Sequence, residues 1–146
     1  MLVELSATAL LLSGIGAEAP ARATASGIPA YVNGYGKWPR LNRVPIRAGS
    51  SAHPGTKNVY ASKRRTGTRY PVGTIVVKAG MPPGQKWLSL IAAMRRTRGT
   101  TNGGWRWEEF TRSSSTARFT KVGFPESGCA ACHSQARSND FVFTRR

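Results

Sequence analysis

Two thiols and an imidazole fall within one short stretch, Cys129-Ala130-Ala131-Cys132-His133. The C-x-x-C-H spacing is that of a c-type haem attachment site. Residues three and four apart share a helix face. Cys129 and Cys132 can then meet the two vinyl groups on one haem edge, and His133 can bind the iron as proximal ligand. Gly128 permits close approach, Glu126 or Ser127 suits the helix start, and Ala130 and Ala131 favour helix. A zinc site needs four ligands, and the only other histidine is His53. A redox dithiol needs a thioredoxin-like βαβ setting, which the sequence lacks. With 2 cysteines in the chain, thioether attachment of one haem c per chain uses both and leaves none for a disulfide.

Met1, Met81 and Met94 all precede the motif. A small electron-transfer cytochrome c usually carries its ligand methionine downstream of C-x-x-C-H. The expectation here is one strong protein ligand, His133, and a sixth position open to exogenous molecules.

The elements that must hold this motif are short. The chain has 16 glycines and 9 prolines in 146 residues, and both residue types interrupt helices and mark turns. Residues 26–57 read as irregular, with room for a short helix within residues 31–41. Asn58-Val59-Tyr60-Ala61-Ser62 alternates like a strand. Thr74-Ile75-Val76-Val77-Lys78 is the clearest strand. Met81-Pro82-Pro83-Gly84 is a turn, and residues 87–94 fit strand or helix equally. Residues 95–104 form a basic, Gly-rich loop. Trp105-Arg106-Trp107-Glu108-Glu109-Phe110 alternates like a strand with one buried face, and a final helix starts near Glu126. The fold expected is α+β: mainly antiparallel sheet wrapping the haem, with a few short helices. The high Gly and Pro content and the strand at residues 74–77 argue against a four-helix cytochrome c′.

The length suits a single domain over residues 26–146 behind an exported leader, residues 1–25. Residues 5–15 are apolar but too short for a membrane span, and Ala-Arg-Ala and Ala-Thr-Ala follow as cleavage patterns. The leader lacks a positive start, which is the pattern expected if the true start lies upstream of Met1. Export to the periplasm fits haem c chemistry. Lys and Arg number 22 against 6 Asp and Glu, a formal charge of +16. The basic residues are scattered and accompany no nucleic-acid-binding motif. They read as a solvated surface, or as a means of docking an acidic redox partner or an anionic membrane.

Cys129-Ala-Ala-Cys132-His133-Ser134, followed by Asn139-Asp140-Phe141-Val142-Phe143-Thr144, resembles the cytochrome P-460 family. Asn58-Val59-Tyr60 and Tyr70-Pro71-Val72-Gly73-Thr74-Ile75-Val76-Val77-Lys78 extend the resemblance to residues 31–145. It implies an antiparallel sheet around a haem, often in a homodimer. It also implies a role for Lys78, since in enzymatic members a lysine ending this strand bonds covalently to the porphyrin. Those members oxidise hydroxylamine. Related β-type cytochromes c′ bind nitric oxide or carbon monoxide without the cross-link. On its own terms Lys78 closes an apolar strand, where a lysine stem can also snorkel to water.

Enzymatic relatives place a carboxylate in the distal pocket. Approximate alignment puts that position near Ile91, where no acid occurs, so the expected distal wall is apolar and suited to neutral gases. Glu108 and Glu109 are the nearest acids, and alternation turns one of them outward. His53 is expected at the surface or against a haem propionate rather than on the iron. Trp87, Trp105 and Trp107 are expected in the core, with one or two lining the haem pocket. Arg43, Arg64 or Arg69 are candidates to pair with propionates. Three functions remain open: hydroxylamine oxidation, gas binding and electron transfer.

Overall fold

A computed structural model describes residues 26–47, 53–124 and 126–144. The expected leader lies outside the described residues. Five strands form one antiparallel sheet in chain order: β1 Thr56–Ala61, β2 Ile75–Met81, β3 Leu90–Arg96, β4 Trp105–Thr111 and β5 Thr120–Lys121. The β-branched run Ile75-Val76-Val77 lies in the first half of β2, where both sheet faces are covered. This is the setting in which continuous apolar residues form a strand. Residues 87–94, ambiguous in sequence, resolve as strand from Leu90 onward, because β3 is hydrogen-bonded on both sides, to β2 and β4. The helix expected within residues 31–41 is replaced by two 3-10 turns, Ala30–Val32 and Tyr35–Lys37. Gly34, at φ 74°, separates them, in the left-handed region that glycine enters at little cost.

The register sorts side chains onto two faces. Val77, Ala79, Ile91, Ala93 and Phe110 share one face with Val32 and Phe119 in an apolar cluster. Val59, Ala61, Val76, Met94, Trp105 and Trp107 form the core of the other face. α1, Glu126–His133, covers this second face, with Ala130 buried in it and Cys129 packed against it. A 3-10 segment, Ser134–Asn139, follows directly. The fold is α+β, as the sequence indicated.

Candidate functional site

The cysteine-bearing turn and its histidine are built on α1. Cys129 is half-buried and Cys132 exposed, both as free thiols. Burial and the nearby Glu109 carboxylate push the Cys129 thiol up. The space beside Gly128, expected to admit a close approach, is occupied by the Phe124 ring. A Cβ there would stand 2.5 Å from that ring.

The His133 ring lies 4.5 Å, centroid to centroid, from Trp107 and 5.0 Å from Phe143. Its Nδ1 is 2.7 Å from the Phe141 carbonyl oxygen. A carbonyl only accepts, so Nδ1 carries the proton and Nε2 keeps its lone pair. Burial pushes the ring's pKa down to about 4, against the opposing pull of the Phe141 carbonyl. The imidazole is therefore neutral near pH 7, the form a metal binds.

The segment that supplies this carbonyl is itself pinned. Asp140 and Phe141 both have positive φ, at 52° and 66°. That region costs an ordinary residue roughly 1–2 kcal/mol. Asp140 is buried. It accepts the Tyr70 backbone N–H at 2.8 Å and faces the Arg96 guanidinium at 3.5 Å. Asn139 donates to the Val142 carbonyl and accepts from Arg65. These contacts hold Phe141 in its unfavourable conformation and aim its carbonyl at His133.

Beside this seat, the same sheet face becomes polar. Val59, Lys78, Ala92 and Glu109 lie opposite one another across β1 to β4. Lys78 Nζ is 3.2 Å from His53 Nδ1, and His53 Nε2 is 2.8 Å from Glu109 Oε2. Lys57, buried at the adjacent row, donates to the His53 carbonyl oxygen. An ammonium only donates and a carboxylate only accepts, so Nδ1 accepts from Lys78 and Nε2–H donates to Glu109. Burial, and then the nearby Lys57 charge, lower the Lys78 pKa, while Cys132, Glu109 and Cys129 oppose that shift. The hydrogen bond from His53 depresses Glu109.

The structure bears on three expectations. Ile91 faces the opposite apolar cluster, away from Lys78, and the residue of β3 that lies between Lys78 and Glu109 is Ala92. The acid on the face of Lys78 comes from the next strand as Glu109, so this part of the face is polar. Glu109 shares the face of Lys78, whereas Glu108 lies on the other face, where it accepts from Tyr31 and Lys121. Third, His53 is not a solvated surface residue and sits among Lys57, Lys78 and Glu109. It links Lys78 to Glu109 with its side chain only 20 % exposed.

Trp105 and Trp107 are core residues, as expected, and Trp107 packs on His133. Trp87 is half-buried beneath the Arg112 guanidinium. Arg43, Arg64 and Arg69 are exposed. Arg64 lines a cleft with Lys63, Arg65 and Asn139. Sequence reasoning missed the linking role of His53, the buried Lys57 and the clamp on Phe141. The first two depend on strand register, and the third on backbone geometry.

A family model described as Cytochrome P460 matches residues 32–144, a span that includes every residue of this site. The chain belongs to the cytochrome P460 family. No curated protein matches it by sequence. Membership implies a haem protein, and the residues present fit that group. Two thiols at helical spacing precede an imidazole whose Nε2 is available to a metal. The buried Nε1 atoms of Trp105 and Trp107 on this face have no acceptor among the described residues. The carboxylates of a bound haem would offer acceptors of the kind they lack.

Proposed function

We propose that this P460-family chain is a periplasmic mono-haem cytochrome whose open distal site takes small nitrogen ligands and oxidises hydroxylamine. Cys129 and Cys132 would carry the haem through thioethers, and His133 Nε2 would bind its iron. When bound, the haem supplies the redox chemistry. The protein's own part is to hold His133 in one tautomer, keep water from it with the buried Trp107, and manage protons beside Lys78. Oxidising hydroxylamine releases protons, and a site without a base turns over poorly. The Glu109–His53 pair beside Lys78, on the sheet face that α1 covers, is the single observation that carries this reading.

Following the family resemblance, Lys78 Nζ would bond to the porphyrin. Mass spectrometry of digested, matured protein tests this directly. The expected product is one peptide complex containing Lys78, the haem and Cys129 with Cys132. Separate Lys78 and haem peptides would remove the cross-link from this account. Turnover of hydroxylamine by the same preparation then tests the activity.

A second reading is favoured by Ala92. A small apolar residue lies between Lys78 and Glu109, which suits a diatomic gas held without turnover. Tight nitric oxide or carbon monoxide binding to reduced protein that does not consume hydroxylamine would select it. The surplus of basic residues also suits an acidic redox partner, whose association should weaken as salt rises.

A further inference from the structure

We propose that His53, oriented by Glu109, is the base that takes the proton from Lys78 Nζ and makes this lysine the nucleophile of the site. The inference rests on the reading above only for the identity of the group that Lys78 attacks. Carboxylate, imidazole and nucleophile stand in one line of hydrogen bonds: Glu109 Oε2 to His53 Nε2 at 2.8 Å, and His53 Nδ1 to Lys78 Nζ at 3.2 Å. This is the arrangement in which a buried carboxylate fixes an imidazole's tautomer and its other nitrogen accepts the nucleophile's proton.

The tautomer deduced from donors and acceptors is the competent one, with Nδ1 unprotonated toward Lys78. After transfer, the imidazolium would donate from both nitrogens, and the Glu109 charge would stabilise it. His53 belongs to no strand, and Lys57 fixes it in place by holding its backbone carbonyl. The groups acting on Lys78 from the packed elements are Lys57 on β1, His53 from the preceding loop, Glu109 on β4, and Cys129 and Cys132 on α1. Lys57 favours the neutral amine, whereas Glu109 and the cysteines favour the charged one. Burial acts first and in the same direction as Lys57, and His53 Nδ1 is the neighbouring lone pair placed to accept the proton. A solvent-facing lysine such as Lys63 or Lys86 has no such dyad beside it.

The bond-forming step balances as follows. The freed Nζ lone pair forms an N–C bond to a porphyrin edge carbon, and that carbon loses its hydrogen as a proton. The first ammonium proton passes to His53 and frees the lone pair, and a second leaves the nitrogen after the N–C bond has formed. The two electrons, with two of the three protons released, reduce one peroxide to two waters, and the third proton passes to solvent.

The test uses haem-loaded full chain exposed to hydrogen peroxide, with the joined peptide followed over time and across pH. The wild type is expected to join. His53→Ala should slow joining by ~100-fold or more, the span of a general base, and added imidazole should restore part of the rate. Glu109→Gln should slow it less and shift its pH profile. His53→Gln serves as a second variant should the alanine form not fold. If the wild type joins and both His53 variants join as fast, the inference is overturned while the cross-link stands. If the wild type does not join, the cross-link reading falls and the inference is decided by acetylation with acetic anhydride at neutral pH. Faster labelling of Lys78 than of the exposed Lys63 and Lys86, lost in His53→Ala, supports it. Labelling unchanged by the substitution overturns it.

Discussion

Two adjacent rows of one sheet face are filled in opposite ways. In the row Ala61, Val76, Met94 and Trp107, every side chain is buried and apolar, and His133 rests on Trp107. In the next row, Lys78 and Glu109 replace apolar residues and reach each other through His53. The first row gains from removing apolar area from water, at about 25 cal/mol per Å². The second takes charged groups from water and recovers only part of that cost in hydrogen bonds. A fold tolerates the second kind of row where its reactivity matters, and steadies it with the first. The clamp on Phe141 belongs to the steady part, because its effect is to fix one imidazole.

Substitutions that erase the seat should have the largest effect. Cys129→Ser combined with Cys132→Ser is expected to abolish thioether-linked haem in protein matured in an export-competent host, read by mass spectrometry of the digested protein, leaving Lys78 as the one attachment expected to survive. Haem that survives denaturation in this variant on a peptide without Lys78 would overturn the thioether assignment.

Next is the clamp. Asp140→Ala leaves Arg96 and the Tyr70 N–H without their buried partner. The expected loss is roughly 3 kcal/mol in denaturant unfolding. The variant's iron spectrum should also change, because Phe141 loses what holds its carbonyl on His133. A variant as stable as wild type would mean the loop is held elsewhere.

The polar row should give smaller effects with opposite signs. Glu109 has a depressed native pKa, so its contribution is present above the ordinary carboxylate value and is lost as pH falls through the native one. Glu109→Gln should cost about 1 kcal/mol at pH 7 and flatten this acid limb. Lys78 is also depressed, which for a lysine has the reverse meaning. The unfolded chain binds the proton more tightly, so stability rises as pH climbs toward the ordinary lysine value. Lys78→Met should remove that alkaline rise and stabilise the fold by on the order of 1 kcal/mol at pH 7. Destabilisation instead would show that the hydrogen bond to His53 outweighs the cost of burial.

Much of this contrast was legible in the sequence. The run ending in Lys78 and the alternation of Trp105 and Trp107 marked β2 and β4, because β-branched and aromatic residues suit a pleated, covered surface. The C-x-x-C-H turn marked α1. Pairing was not legible. Alternation shows that Glu108 and Glu109 point opposite ways, but only the register of β3 with β2 and β4 decides which one joins Lys78. Ile91 faces away from Lys78 for the same reason, since a shift of one residue exchanges the faces. His53 lay in a Ser- and Gly-rich stretch whose composition reads as loop, and composition does not reveal what a loop side chain reaches. The left-handed Phe141 left no trace either, because a bulky residue is a poor candidate for that conformation.

The strand order follows the chain order throughout, and this has a consequence for how the two parts of the site come together. Each strand pairs with a neighbour in sequence, so Lys78 and Glu109 are brought into line by near-neighbour contacts that close early and quickly. The helix bearing Cys129, Cys132 and His133 comes later in the chain and must settle onto a surface already built. The last segment therefore completes the site, because α1 packs on β4 and brings His133 onto Trp107.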